Sequence, residues 1–243
     1  MRCPSAFELV VAWEKGLRQP PVERALTLLA AACSETRDEL ANLSIGARDV
    51  RLLELYEHVF GERLDAFAEC PVCGERLEYS FTRCDLQLGH ALPDSATEFE
   101  ATQGETRLRL RLPTSEDLLA LTGHPEPASA PRVLAERCVV EAFHNNDRIA
   151  RQALSDEDLA LAASRLQEAD PAGDQLVLLC CSACSHVWQV VLDMESFLWA
   201  KLNSLAKRLL TEVHVLARAY GWTEREVLAL GPARRQFYLE MVA

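Results

Sequence analysis

Two short cysteine motifs carry the most specific chemistry in the sequence. Cys70 and Cys73 enclose two residues, and so do Cys181 and Cys184. Because a Cys-x-x-Cys turn directs two thiolates to one point, two such turns together can form a tetrahedral four-sulfur site for zinc. Four thiolates leave no open coordination position, so this ligand set predicts a structural Zn2+ and not a catalytic one.

The separation of the two motifs is unusual for a zinc site. The intervening segment, 74–180, is 107 residues long, whereas the loop of a zinc ribbon is typically about 15–20 residues. Strand-like runs follow each motif, at 77–81 and at 187–192. A zinc site at these cysteines therefore predicts a split zinc ribbon, with a whole subdomain inserted between its halves.

Other interpretations of the cysteines stay open from the sequence. One Cys-x-x-Cys can act as a redox pair, although the residues before Cys70 do not have the pattern of a βαβ strand. The two pairs can also be disulfides or ordinary buried thiols without a metal. His186 lies two residues after Cys184. We interpret it as a strand residue at the edge of the ribbon and not as a ligand.

The composition predicts a folded, acidic protein. Hydrophobic residues make up 49% of the 243 residues, enough for a sizeable core. The 37 acidic and 25 basic residues give a formal charge of −12, which argues against nonspecific binding to DNA or to an anionic membrane. The sequence contains neither an uncharged apolar run of about 18 residues nor a signal-peptide core. We therefore expect a cytoplasmic protein without a membrane span, in which the nine cysteines are reduced or metal-bound.

Helical periodicity dominates both ends of the chain. The predicted helices run over about 5–17, 21–33, 47–60, 195–220, 224–230 and 232–241. Gly61 and Gly221 are placed to end two of them, and Thr223 with Glu226 has the form of a capping box. Between the second and third helices, 34–47 is predicted to be a mixed stretch, with a loop over 42–46.

The inserted part is predicted to combine a β-hairpin with short helices. Arg107, Arg109 and Arg111 alternate with leucines, which predicts a hairpin over 98–112 with one apolar and one basic face. The arginines then form either a stripe that binds an anion or a partner, or a solvated edge strand that opposes aggregation. The pattern further predicts helices after Thr114, from 131 to about 143 and from 156 to about 168, with a proline-rich loop over 124–131.

The C-terminal helices supply a second candidate interaction surface. Tyr220 and Trp222 flank a glycine at a helix end, and Arg234, Arg235 and Tyr238 follow. Tyrosine, tryptophan and arginine are concentrated at interface hot spots, so one interpretation is a patch that docks a partner. In the other interpretation the aromatic rings pack in the core and the arginines pair with acidic residues of the same chain.

No catalytic constellation is evident in the sequence, and we predict a protein that is not an enzyme. It has no Gly-x-Ser-x-Gly, phosphate loop, His-Glu-x-x-His or dinucleotide-binding fingerprint. The expected fold class is α+β, mainly α-helical, with a split four-cysteine zinc ribbon and a small inserted hairpin and helical subdomain. The expected regions are 1–66, then 67–84 together with 174–194, then 85–173, and finally 195–243.

Several short blocks occur in an order that is similar to one known family. They are Trp13-Glu14-Lys15-Gly16, Glu23 to Leu29, Gly46-Ala47-Arg48-Asp49, Phe60-Gly61, Arg111 to Leu118, Leu134 to Cys138, Phe197-Leu198-Trp199, Glu212 to Glu224 and Arg234 to Leu239. This order resembles the baseplate proteins of T-even-type contractile phage tails and of related phage-derived injection systems. The most specific blocks are His-x-Leu-Ala-x-x-Tyr-Gly-Trp, starting at His214, and Arg-Arg-x-x-Tyr-Leu, starting at Arg234.

The resemblance implies a structural component or assembly factor of the baseplate. It implies no catalysis, a protein that is cytoplasmic until it joins a tail-like particle, and contacts with other baseplate, hub or spike proteins. Two functions from other classes compete with it. One is a zinc-ribbon regulator that binds nucleic acid through Arg107, Arg109 and Arg111, and the other is a thiol redox enzyme that uses one Cys-x-x-Cys.

Overall fold

Helices from the two ends of the chain pack on a common core. A computed structural model describes residues 1–86, 98–122 and 129–242. The N-terminal helices are α1 (Ala6–Gly16), α2 (Pro21–Ala32), α3 (Arg37–Ala41) and α4 (Ile45–Phe60). The C-terminal helices are α8 (Met194–Tyr220), α9 (Glu224–Ala229) and α10 (Pro232–Val242). Leu26 and Leu29 of α2, Leu53 of α4 and Leu198 and Leu202 of α8 are buried together in the largest core.

Two antiparallel hairpins extend from this helical core. The first pairs β1 (Leu64–Glu69) with β2 (Arg76–Phe81), and the second pairs β7 (Leu176–Cys180) with β8 (Val187–Val191). Aromatic rings join the first hairpin to the helices: Phe197 of α8 lies 6.4 Å from Phe81 and 5.4 Å from Tyr56 between ring centroids. The strands predicted around the two cysteine motifs are therefore confirmed.

The residues between the hairpins form a sheet with helices packed against it. Its strands are β3 (Phe99–Gln103), β4 (Thr106–Leu110), β5 (Val139–His144) and β6 (Asp147–Ile149), antiparallel and in that order. The helices are α5 (Ser115–Leu121), α6 (Ala130–Cys138) and α7 (Asp156–Ala169). Leu108 and Leu110 of β4 are fully buried with Ala135 of α6 and Ala162 of α7 in a separate core, so the apolar face of the predicted hairpin is confirmed.

Three local predictions are wrong. The helix predicted from 131 to about 143 ends at Cys138, because the chain continues as β5, which pairs with β4. This pairing also places β4 inside the sheet, so the arginines do not lie on an edge strand. The loop predicted over 42–46 ends earlier, because α4 begins at Ile45. The mixed stretch before it contains α3, and Thr36 and Glu39 form the capping box at the start of this helix.

The remaining predicted helices agree with the structure to within a few residues, and the capping box at Thr223 and the left-handed Gly221 after α8 are confirmed. The predicted proline-rich loop falls mainly on 123–128, outside the described residues. The division of the chain into four regions stays a prediction. No helix of the described residues is both long and apolar enough to span a bilayer.

A buried carboxylate ties together the elements that follow β4. Asp117 of α5 is 1% exposed and accepts hydrogen bonds from Arg111 Nη1 at 2.6 Å, Arg111 Nη2 at 2.8 Å and Arg137 Nε at 3.0 Å. The Thr114 N–H and hydroxyl complete its shell. Burial alone raises the pKa of Asp117, but the Arg111 guanidinium, the Thr114 N–H and Arg137 together lower it to about 2.

We predict that Asp117→Asn lowers the free energy of unfolding at pH 7 by about 3 kcal/mol, because two guanidinium groups lose their partner. The pKa of Asp117 is lower in the folded state, so its stabilisation is complete above the unfolded value of about 4 and is lost as the pH falls toward 2. Urea unfolding between pH 2 and pH 7 measures this difference.

The neighbouring substitution Glu116→Gln is the control for this prediction. Glu116 is half exposed and lies 3.4 Å from Arg37, so its loss is expected to change stability by less than about 0.5 kcal/mol at every pH. Equal effects of the two substitutions, or an Asp117→Asn effect that does not shrink below pH 4, would contradict the assignment.

Candidate metal centre

The two cysteine motifs form similar tight turns at the tips of the hairpins. In the first turn the Cys70 N–H donates to the Glu75 carbonyl at 2.9 Å, and the Gly74 N–H donates to the Cys70 carbonyl at 2.9 Å. In the second turn the Cys181 N–H donates to the His186 carbonyl at 2.8 Å, and the Ser185 N–H donates to the Cys181 carbonyl at 2.9 Å. Gly74 therefore has a counterpart in the second turn, which the sequence analysis did not identify.

That counterpart is Ser185. The residue after each cysteine pair has a positive φ, 72° at Gly74 and 60° at Ser185. Glycine adopts this conformation without steric cost, whereas a residue with a Cβ is strained there. The turn hydrogen bonds hold Ser185 in this conformation, and no signal in the sequence distinguishes it from an ordinary loop serine.

The four cysteine sulfurs converge on one point. The Sγ atoms of Cys70, Cys73, Cys181 and Cys184 all lie within 4.8 Å of one another, and two pairs, Cys70 with Cys184 and Cys73 with Cys181, are 3.6 Å apart. A Zn–S bond of about 2.3 Å places tetrahedral sulfurs about 3.8 Å apart. The arrangement therefore fits a tetrahedral metal ion, and we call these residues the four-cysteine site.

The pKa values of two cysteines in the site shift in opposite directions. Burial opposes ionisation of Cys70, yet N–H groups of Cys73 and Val72 and the neighbouring thiols lower its pKa to about 7. The His186 N–H favours the thiolate of Cys184, but burial and the thiols of Cys73 and Cys181 outweigh it and raise that pKa to about 12. One thiol thus ionises readily while a neighbour resists, as expected for like charges that share a site without a positive ion.

Aromatic side chains pack between the hairpins below the site. The rings of Tyr79 on β2 and Trp188 on β8 meet edge to face at 6.3 Å. The Tyr79 hydroxyl donates to the Cys180 carbonyl at 3.3 Å. The His186 ring stacks on Trp188 at 5.9 Å and does not belong to the sulfur cluster. These contacts set the position of one hairpin relative to the other.

The three arginines of β4 and its extension have partners within the chain. Arg107 lies 4.8 Å above the ring of Phe143. Arg109 lies 3.1 Å from Glu98 and 3.1 Å from Glu141, and Arg111 binds the buried Asp117. The structure therefore does not gather them into a free basic stripe, and Arg107 is the most exposed of the three.

The C-terminal candidate residues divide into two groups. Tyr220, Trp222 and Tyr238 form one aromatic cluster, with ring centroids 4.7–5.7 Å apart. Arg235 is buried and donates through Nε to Glu212 at 2.8 Å, so it pairs within the chain. Arg234 is exposed on α10. The exposed part of this surface therefore consists of Arg234 and the rim of the aromatic cluster.

Comparison with known proteins identifies the family. The family described as T4 bacteriophage base plate protein matches residues 9–170, more than half of the chain. The chain therefore belongs to this family, as the sequence resemblance indicated. The match includes the first cysteine pair and ends before the second pair and the C-terminal helices. Neither a curated protein nor a solved structure matches the chain significantly.

We predict that Ser185→Gly raises the free energy of unfolding by about 0.5–1 kcal/mol, because glycine adopts the positive φ without strain. The reciprocal change, Gly74→Ser, is expected to lower it by a similar amount. Thermal or urea unfolding of the two variants measures both effects.

Ser182→Gly is the control, since Ser182 lies in the same turn without a positive φ. Glycine at this position gains no relief of strain and adds entropy to the unfolded chain, so it is expected to be neutral or destabilising. Stabilisation by Ser182→Gly, or destabilisation by Ser185→Gly, would contradict the prediction.

Proposed function

We propose that this chain is a structural or assembly component of the baseplate of a contractile phage tail or a phage-derived injection system. The observation that carries the proposal is the family match over residues 9–170. In this role the protein acts through contacts with other baseplate, hub or spike proteins and catalyses no reaction. It is cytoplasmic until it joins the particle.

The metal proposed for the four-cysteine site is a structural Zn2+. Four thiolates at tetrahedral spacing are a typical ligand set for zinc, and they fill its coordination sphere. The ion would tie β1–β2 to β7–β8 as the two halves of a split zinc ribbon. A closed coordination sphere supports a structural and non-catalytic role.

The proposed contact surfaces include the exposed residues singled out from the sequence. Arg107 on the sheet, and Arg234 beside Tyr220, Trp222 and Tyr238 at the C-terminal end, remain candidates for partner binding. Arg109, Arg111 and Arg235 are engaged with carboxylates of the same chain. We therefore assign them to stabilising the fold and not to binding.

The competing functions have less support. A nucleic-acid-binding regulator would need its basic contacts from Arg107, Arg109 and Arg111, of which two are paired, in a chain of formal charge −12. A thiol redox enzyme needs one reactive Cys-x-x-Cys, whereas here four sulfurs from two motifs converge on one point. Both observations favour the metal-linked structural role.

We predict that the purified protein contains about one zinc per chain and that Cys70→Ser abolishes its binding, because three thiolates and a hydroxyl hold zinc far less tightly. Elemental analysis after gel filtration measures the metal, and circular dichroism measures the helix content. The helix content is expected to persist, because the largest core lies mainly on α1, α2, α4 and α8.

Cys180→Ser is the matched control for the metal. Cys180 is exposed, precedes Cys181 directly and does not belong to the four-cysteine site. Its substitution is expected to leave the zinc content unchanged. Equal loss of zinc in both variants, or protein that binds no zinc under reducing conditions, would overturn the assignment.

The baseplate role predicts that the protein co-purifies with tail particles or their assembly intermediates, and that its deletion prevents complete tails from forming. Density-gradient fractionation and electron microscopy measure both effects, and re-expression of the wild-type chain is the control. Intact tails in the deletion strain, together with no trace of the protein in any tail fraction, would refute the proposal.

A further inference from the structure

The outer face of the second hairpin, β7–β8, is exposed and apolar. Directly opposite residues of paired strands share a face, and the β7–β8 register therefore defines this surface. The outer face consists of Leu176, Leu178, Cys180, Val187, Gln189 and Val191. All six residues are exposed, and Leu178 and Val191 expose 67% and 65% of their surface.

The opposite face of the same hairpin accounts for its packing. Leu179 is buried, Val177 packs against the largest core, and Trp188 meets Tyr79 of the first hairpin. The alternation along both strands separates these residues from the outer face. Within the part of the chain that the structure describes, the apolar residues of the outer face therefore do not serve the core.

The first hairpin, β1–β2, provides an internal comparison. The facing pairs on its outer face are Asp65 with Ser80, Phe67 with Glu78, and Glu69 with Arg76. This composition is that of a solvated sheet face, with one exposed aromatic ring. Two hairpins joined at the same four-cysteine site thus present a polar outer face on one and an apolar outer face on the other.

The sequence of the second hairpin departs from the rest of the chain in the same way. Charged residues make up 26% of the protein, yet 175–192 contains no Asp, Glu, Lys or Arg. Among the residues that the structure describes, both strands pair only with each other, so each leaves one edge open. Exposed two-stranded hairpins are normally protected by charges, and an exposed apolar patch of this kind marks an interaction site.

The surroundings of the outer face are acidic. A groove of about 610 Å3 runs beside β7, and its lining includes Leu176, Leu178, Asp85 and Asp174. Among the described residues that line this groove, none is a lysine or an arginine. The Thr82 N–H and hydroxyl lower the pKa of Asp85, so its carboxylate is charged at neutral pH. Asp193 adds a further exposed carboxylate where β8 leads into α8.

The charge distribution identifies the kind of molecule that fits this face. The root of the hairpin carries Asp174 and Asp193, and its tip carries the four-cysteine site, which would keep a net negative charge with four thiolates around a divalent cation. A second copy of this chain would therefore place negative charge against negative charge in either orientation. With a formal charge of −12 on each copy, self-association is further opposed.

We propose that the outer face of β7–β8 docks a different protein, whose contact region is apolar at its centre and bordered by lysine or arginine. The five-residue strands are about 17 Å long, which sets the spacing of the basic groups at the two ends. This inference deepens the proposed baseplate role by naming one of its contact surfaces. The evidence for the docking surface comes from the β7–β8 hairpin and does not depend on the family match.

Photo-crosslinking in cells that produce the particle tests the docking surface. A photoreactive amino acid is placed at position 178 on the outer face, or at position 67 on the outer face of β1–β2 as the control, and the crosslinked peptides are sequenced by mass spectrometry. We expect position 178 to crosslink to an uncharged segment of another protein with lysine or arginine nearby. We expect position 67 to give at most about a tenth of that yield.

Matched substitutions in the full-length chain measure the contribution of each part. Leu178→Glu is expected to weaken capture of the crosslinked protein, produced in pure form, by at least about tenfold, since it buries an unpaired charge. Phe67→Glu makes the same change of charge on the other hairpin and is expected to have no effect.

Asp174→Lys, which reverses a charge at the acidic border, is expected to weaken capture, whereas Asp147→Lys on β6 is expected to leave it unchanged. Unaltered melting temperatures and metal contents establish that all four variants are folded.

Several results would overturn the inference. They are equal crosslinking at both positions, a crosslink to a second copy of this chain or to another part of the same chain such as 87–97, crosslinking to lipid, and full binding by Leu178→Glu. Failure of the baseplate role is a separate result: the crosslinked protein would then have the expected chemistry but would not belong to a tail particle.

Discussion

The meeting of two hairpins, whose turns bring four sulfurs from distant parts of the chain to one point, is the constraint on which the arrangement of the chain depends. Closing a flexible loop the length of 74–180, 107 residues, costs about 4 kcal/mol in chain entropy. The apolar core offsets part of this cost, because Phe81 at the base of the first hairpin shares a core with Phe197 and Leu198 of α8. The apolar base brings the hairpins together, and the sulfurs fix the relative position of their tips.

The inserted part between the two hairpins has its own core. Leu108, Leu110 and Ala162 are buried in a core separate from that of α1, α2, α4 and α8. A direct link to the helical core is Asp170, which accepts a hydrogen bond from the Gly46 N–H at 2.9 Å. A Cβ at Gly46 would lie 1.9 Å from the Asp170 carboxylate, so glycine at the start of α4 is required for this contact.

Local signals predicted the parts of the fold that local interactions determine. Helical periodicity and capping residues identified α8, Gly221 and the Thr223 capping box, and the spacing of cysteines identified the residues of the four-cysteine site. Most failures involve partners distant in sequence, whereas α3 was missed although Thr36 and Glu39 form a local capping box. A helix was predicted to about 143, but Val139 to His144 forms β5 because it pairs with β4. Gly46 was predicted to lie in a loop, but it lies at the start of α4 beside Asp170. The arginines suggested a binding stripe, but Arg109 pairs with Glu141 and Arg111 with Asp117.

The same reasoning explains why the outer face of β7–β8 was not found from the sequence. Leu176 to Leu192 is an apolar run on either side of a cysteine turn, and periodicity alone cannot tell a strand buried on both faces from one exposed on one face. Only the register with its partner separates Leu179, which is buried, from Leu178, which is exposed. Val177 and Leu192 pack against the largest core at the base of the hairpin, so the face opposite to them is the one that remains exposed.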